Sequence, residues 1–325
     1  MNTMGRLLAA TLCAAAMAAS ALGAGLPGPL VDAQWLHQHL GEVTVLTVTD
    51  DTSLYTSAPH LGPGRAVQQV GGHVPGSLLV DFGTIRQSRV EGGQTLQALL
   101  PQAQFFTDAM DKAGLDAGRP VIVVPLGDGV IAMDMGTRLY FQLRYFGVAR
   151  DQVALLNGGT AAWLHAGYAV STAAAPAARG DWKAGSPDAS ILATLDQVRQ
   201  AQSSGREQFI DARPTPQYLG IERAGIDTSA GHLPGAKSFP TDAIVATRDG
   251  VTRFLTSRDY EWMFASYGIS THAPTIAYCN TGHLASGAWF VAREILGNRD
   301  ARLYANSMNE WTHLGHPTVG LPETP

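Results

Sequence analysis

Apolar and polar positions along the chain switch between two periods, and they do so twice in the same order. The first pass opens with "LVDAQWLHQHLG", whose apolar spacing predicts a helix, followed by the strand-like run "VTVLTVTDD" that ends in acid. The second opens with "ILATLDQVRQAQSSG" and continues into "QFIDAR". Next come the turns "GGHVPGSLLVDF" and "AGHLPGAKSFPTD", then the aromatic-bearing helical runs "AQFFTDAMDKAGL" and "RDYEWMFASYGI". The continuous apolar strands "PVIVV" and "PTIAYC" lead into the helices "MGTRLYFQLRYFG" and "SGAWFVAREILG". Each pass closes on a matching segment, "VALLNGGTAAWLHAGYAV" or "ARLYANSMNEWTHLGHPTV". A matched order of this kind implies an internal duplication. Strands alternating with helices predict an α/β fold in which each half has a central parallel sheet flanked by helices.

The stretch "STAAAPAARGDWKAGSPDAS", rich in Ala, Pro, Gly and Ser and without an apolar period, reads as a linker between the halves. The start "MNTMGRLLAATLCAAAMAASALGA" has one early arginine, an apolar core too short and too alanine-rich for a membrane span, and small residues at its end. That is the layout of a secretory signal peptide, and bulky Leu12 before Cys13 argues against lipoprotein processing. The expected division is therefore a signal peptide at 1–24, a first domain at 25–170, a linker at 171–189 and a second domain at 190–325, with the product periplasmic or secreted. Removing 1–24 takes Arg6 from the 22 basic residues and leaves all 27 acidic ones, with no basic block, so nothing points to nucleic acid. No later apolar run approaches ~18 residues, so no membrane association is expected after cleavage.

Cleavage also removes Cys13 and leaves Cys279 as the one thiol, which has no disulfide partner. It closes the strand "TIAYC" and precedes the loop "NTGHLA" and a helix expected from Ala285 or Ser286. In parallel sheets ligands bind beyond the carboxyl ends of the strands. Gly282 permits a positive φ, so the loop is expected to turn amides from Asn280 through Ala285 toward the sulfur and lower its pKa. Ser286 or Ser270 is a candidate hydroxyl donor, Ser286 being equally a helix cap. The plain alternative is a cysteine buried as one more apolar residue. A cysteine phosphatase needs an arginine six positions on, where Ala285 stands. A papain-like hydrolase would enlist His283 as base, although a loop position facing solvent or a ligand suits this histidine better. A thiol-disulfide oxidoreductase would need a second cysteine.

The repeated Gly-His-[Val/Leu]-Pro-Gly, the acid-ended strands, the strand–Cys–loop–helix unit confined to the second half and the closing "LYANSMNEW" together resemble the tandem-domain rhodaneses, the thiosulfate and 3-mercaptopyruvate sulfurtransferases. The resemblance covers nearly the whole chain after the leader. It implies a first domain without the catalytic cysteine, where this chain has "VVPLGDGVIAM", and a catalytic second domain. It also implies that Cys279 takes a sulfane sulfur from a small donor as a persulfide and passes it to cyanide, a thiol or a protein acceptor. The six-residue loop Cys279, Asn280, Thr281, Gly282, His283 and Leu284 would cradle that sulfur, with Ala285 at its end. Thiosulfate-using members resemble one another in a basic residue two after the cysteine and an arginine before the tyrosine of the "DAR" segment; here these positions hold Thr281 and Gln217. The loop also departs from the Ser-Gly-Val-Thr pattern of mercaptopyruvate users, so the resemblance leaves the donor open. Gln217, Arg223 and Ser286 are the candidate substrate contacts. Asp211 and Arg213 match the family's structural Asp-x-Arg, and His232, like His73, is read as structural. No cofactor is implied, and His313 and His316, followed by Pro317, make no metal set. A non-enzymatic persulfide carrier serving a partner protein is the alternative to an enzyme.

Overall fold

The computed structural model describes residues 25–175 and 178–321; the expected signal peptide, with Cys13, lies outside the described residues. In the first half, five parallel strands run in the order Leu30–Val31, Val153–Leu156, Val121–Pro125, Thr44–Thr49 and Leu78–Asp81. The second half repeats this order with Ala301–Leu303, Thr275–Tyr278, Gln208–Asp211 and Lys237–Ser238, all parallel. A single parallel bridge from Leu192 to Leu303 stands where Leu30–Val31 stands in the first half. Both central strands, Val121–Pro125 and Thr275–Tyr278, are buried along their whole length, because helices cover both faces of a parallel sheet. That is why they read as unbroken apolar runs.

The duplication extends to side chains. His73 stacks on Tyr55 with ring centroids 3.6 Å apart, and His232 stacks on Tyr218 at 3.9 Å. The backbone of each histidine pairs with the end of its own half, Ser171 or Val319. Trp163 Nε1 donates to Ala169 O at 2.8 Å and Trp311 Nε1 to Pro317 O at 2.9 Å.

The halves are not beads on a string. Helix Val130–Tyr145 of the first packs on Leu284–Phe290 of the second, with Phe141 edge-on to Trp289 at 5.0 Å and Tyr140 edge-on to Phe290 at 5.0 Å. One apolar core therefore contains residues of both sheets, Val123 and Ala277 among them. The segment read as a linker is a strap. Gly180 N, Trp182 N, Gly185 N and Asp188 N donate to Asp111 O, Leu115 O, Phe146 O and Tyr145 O, and buried Trp182 meets Phe106 edge-on at 5.6 Å. Composition suggests flexibility there; one tryptophan and a row of backbone bonds fix it.

Among the described residues three antiparallel pairs stand outside the alternation expected from the sequence: the short His60–Leu61 with Val67–Gln69, and the hairpins Gln87–Glu91 with Gln94–Leu99 and Val245–Arg248 with Val251–Phe254. Each hairpin reaches into the opposite half. Asn309 Nδ2 donates to Gln97 O at 2.7 Å, while Thr252 N donates to Gly127 O at 2.8 Å and Phe254 N to Asn157 Oδ1 at 2.8 Å. This exchange and the shared core hold the first half against the loop that carries the thiol.

Candidate active site

Cys279 follows strand Thr275–Tyr278 and is 1% exposed. Its own backbone is tied down: N donates to Ser307 Oγ at 3.0 Å and O accepts from Met308 N at 3.1 Å. Asn280 O accepts from Asn309 N at 2.9 Å. Ser307 is fully buried at φ 53°, a left-handed conformation that costs a non-glycine residue energy and persists where the surroundings hold it. Here its hydroxyl also donates to Tyr304 O at 2.7 Å. "NSMNEW" carries this support, and the sequence offered no periodic signal for it.

The chain turns back at Gly282, φ 73°, where an added Cβ would lie 2.3 Å from Ala305 O. Gly282 N donates to Cys279 Sγ at 3.1 Å, and the amides of Thr281 and Ala285 also favour the charged form of the sulfur. The expected ring from Asn280 through Ala285 narrows to the amides of Thr281, Gly282 and Ala285, and the helix begins at Leu284, making Leu284 and Ala285 its first turn. The expected lowering of the thiol pKa is also corrected. Burial pushes it up, and the three amides and the charge of Arg138 offset that only in part.

The remaining candidates separate. On the rim, Asn280 Nδ2 donates to Gln217 Oε1 at 2.9 Å, which joins the loop to the short helix Thr215–Leu219. Arg223 is exposed and donates to Asp227 O and Ala224 O of its own turn, so it is not brought to the sulfur. Ser286 is buried in the interface between halves, not aimed at substrate: its Oγ lies 2.7 Å from Thr137 Oγ1 and donates to His283 O at 2.6 Å. Ser270 is exposed, its hydroxyl accepting from His272 N and Ala273 N. Arg213 brackets Asp211 through Nε at 3.0 Å and Nη2 at 2.7 Å, and Tyr278 OH donates to Asp211 Oδ2 at 2.8 Å. This buried knot lies beneath the sheet end. His232 Nδ1 sits 2.6 Å from Tyr218 O, within its turn. Among the described residues no cluster of three or more His, Cys, Asp or Glu is placed to hold a metal ion.

His283 is half-buried, with its Nε2 out of reach of solvent. Its ring meets Phe82 of the first half at 4.5 Å, and burial, with Arg86 and Arg138 nearby, lowers its pKa to about 3. No hydrogen bond joins it to Cys279 Sγ among the described residues, and a base that weak does not suit the hydrolase reading. Sequence reasoning sought positive charge in the loop itself and missed the first half's contribution. Arg138, fully buried on helix Val130–Tyr145, donates from Nη1 to Gly282 O at 3.1 Å. Burial lowers its pKa to about 10, opposed by the charge of Cys279.

Residues 194–314, which hold the cysteine strand, the loop and the supporting helix, match the rhodanese-like domain model. A probable 3-mercaptopyruvate sulfurtransferase of Pseudomonas aeruginosa is 31% identical over 286 residues, covering 87% of this chain and 94% of that protein. The chain belongs to the rhodanese family. The rhodanese-fold protein SseA of Escherichia coli, a 3-mercaptopyruvate sulfotransferase, superposes with a TM-score of 0.67 at 24% identity, over 86% of this chain and 98% of SseA. A sulfur carrier protein of Thermus thermophilus, TtuD, is 25% identical over 312 residues, 93% of this chain and 98% of TtuD. Sulfur transfer is the chemistry to which this membership assigns the chain, and the two tandem halves are rhodanese-like domains.

Proposed function

We propose that this rhodanese moves a sulfane sulfur from a small anionic donor, thiosulfate or 3-mercaptopyruvate, to a thiophilic acceptor through a persulfide on Cys279. The observation that carries the reading is the buried Sγ that accepts from Gly282 N, in a loop whose Thr281 and Ala285 amides also favour its charged form. Such a nest stabilises an anion whose charge sits on sulfur. With thiosulfate, the Cys279 thiolate attacks the outer sulfur, the S–S bond breaks, and sulfite departs with its electron pair. With 3-mercaptopyruvate the C–S bond breaks and the pair stays on carbon as the enolate of pyruvate, which takes up a proton. In either case cyanide or a thiolate then attacks the outer sulfur of the persulfide, and the Cys279 thiolate is restored.

Incubation with either donor is expected to add about 32 Da, one sulfur atom, to the peptide containing Cys279. Cys279→Ser is expected to carry no increment and to lose turnover; full activity in that variant would refute the role. A second reading, a persulfide carrier that loads once and delivers to a protein, is supported by the likeness to TtuD and by the uncharged Thr281 and Gln217. Steady-state rates with both donors separate the two, since a carrier loads but does not turn over. Within this reading the leader at 1–24 directs export, and the functional divisions fall at 25–170, 171–189 and 190–325. N-terminal sequencing of the processed protein from the periplasm tests the export step, and an intact leader on the mature protein would refute it.

A further inference from the structure

Among the described residues the second half brings no cation to the sulfur. Its loop offers Asn280, Thr281 and Leu284, and Arg223 is turned into its own segment. Arg138 of the first half fills that gap, and Arg86 lies behind it. Arg138 has no accessible surface and spends one N–H on Gly282 O, the same loop residue whose amide bonds the sulfur. Its Nε and Nη2 are buried without an acceptor, as is Nε of Arg86. Arg86 lies over the Phe82 ring at 4.5 Å, and the same ring touches His283. Among the described residues neither guanidinium has a carboxylate within ion-pair distance. Asp134, one turn before Arg138, accepts from Thr241 Oγ1 at 2.6 Å instead, and Asp50 and Asp81 act on Arg86 only from farther away. A buried guanidinium N–H left unpaired is costly, and the usual remedy is an oxyanion.

We propose that Arg138, with Arg86, is the anion-recognition element of the Cys279 site, so that the cysteine-free half selects donors bearing a compact oxyanion, a sulfonate or carboxylate, beside the transferable sulfur. This rests on the sulfur-transfer reading above, but its test does not. Cys279 alkylation by iodoacetate and by iodoacetamide, followed by peptide mapping, compares an anionic with a neutral reagent; in each the thiolate displaces iodide, which leaves with its electron pair. Both reagents need the same opening of the loop and the same thiolate, so these factors cancel in the ratio of their rates.

Arg138→Gln is expected to lower the iodoacetate-to-iodoacetamide ratio about tenfold, the scale of one charge-assisted hydrogen bond. Arg86→Gln lowers it less, Arg138→Lys keeps it within a few-fold, and exposed Arg258→Gln leaves it unchanged. High salt narrows the wild-type preference. An unchanged ratio in folded Arg138→Gln overturns the proposal and leaves Arg138 as a brace for the loop. If that variant does not fold, Arg138→Lys and Arg86→Gln decide, and an unchanged ratio in Arg86→Gln is then the refuting result. Absence of the persulfide in wild type would refute the sulfur-transfer reading while leaving the alkylation ratio readable.

Discussion

Replacing Ser307 tests whether the cysteine is held by its backbone as well as by its loop. The Ser307 hydroxyl accepts from Cys279 N at 3.0 Å and donates to Tyr304 O at 2.7 Å, in a site with no exposed surface. In Ser307→Ala the Cys279 N–H is left buried without an acceptor, a loss of about 1–3 kcal/mol. Ser307→Gly loses the same hydroxyl, but its backbone is at φ 53°, where a Cβ costs roughly 1–2 kcal/mol that glycine does not incur. Glycine gives back about 0.4–1 kcal/mol through its looser unfolded chain. The glycine variant is thus expected to be the more stable of the two by about 0.5–1 kcal/mol, with both below wild type. Urea unfolding monitored by tryptophan fluorescence measures this as shifts in midpoint at unchanged slope. A Ser307→Ala protein within about 0.5 kcal/mol of wild type would refute the hydroxyl's role as acceptor. A glycine variant weaker than the alanine one would refute the strain.

Gly282→Ala places a Cβ 2.3 Å from Ala305 O and 2.5 Å from Arg138 Nη1, at φ 73°, so the loop must move; donor-dependent sulfur loading of Cys279 by mass spectrometry is expected to fall sharply, and wild-type loading would contradict the geometry. Because burial raises the Cys279 pKa, its alkylation by iodoacetamide is expected to keep accelerating with pH beyond ~8.5, the ordinary thiol value, and a plateau near neutrality would refute this. Asp134 is fully buried and its pKa is held well above the ordinary carboxyl value by burial, opposed by the Thr241 hydroxyl. A raised folded pKa gives stability that is complete below the unfolded value of ~3.9 and is lost as pH climbs toward the folded one. Stability measured against pH should therefore shift in favour of Asp134→Asn between pH 4 and pH 8; a pH-independent difference between the two proteins would show that Asp134 does not titrate in this way.

How much of this was legible follows from where each signal resides. The central strands were readable because burial on both faces leaves Val121–Pro125 without a polar position. The hairpins were not, since arms such as "QSRVE" are half-exposed and lack apolar contrast, although their turns were written in the chain. Gly92 and Gly93 have φ of 54° and 80°, and Asp249 and Gly250 have 53° and 74°, the paired positive values of tight two-residue hairpin turns. The strap was hidden because one anchor, Trp182, makes no period. In the site, much of what is local to the cysteine could be foreseen, namely the loop, the turn at Gly282 and the knot of Asp211 and Arg213, whereas the Ser307 support and the raised thiol pKa could not. The positive charge could not, because Arg138 stands 144 positions before Gly282 and reaches it only through helix packing. Aligning "TRLYFQLRYFG" with "GAWFVAREILG" sets Ala288 opposite Arg138, so a search within one half finds nothing.

The same asymmetry explains the two versions of the supporting turn. Leu126 O accepts from Ala161 N at 2.8 Å just as Asn280 O accepts from Asn309 N at 2.9 Å, which sets Pro125 in the place of Cys279 and Gly159 in the place of Ser307. Both supporting residues are left-handed, at φ 55° and 53°. Glycine is the inexpensive choice for that conformation, and the first half uses it. It has no need of a hydroxyl there, because Pro125 has no N–H to satisfy. At Cys279 the strand end has a buried N–H, and a serine that tolerates the strain supplies its acceptor. The seventh residue of the closing segment thus follows from the residue at the strand end, and at this turn the half that holds the thiol carries backbone strain that the other half is spared.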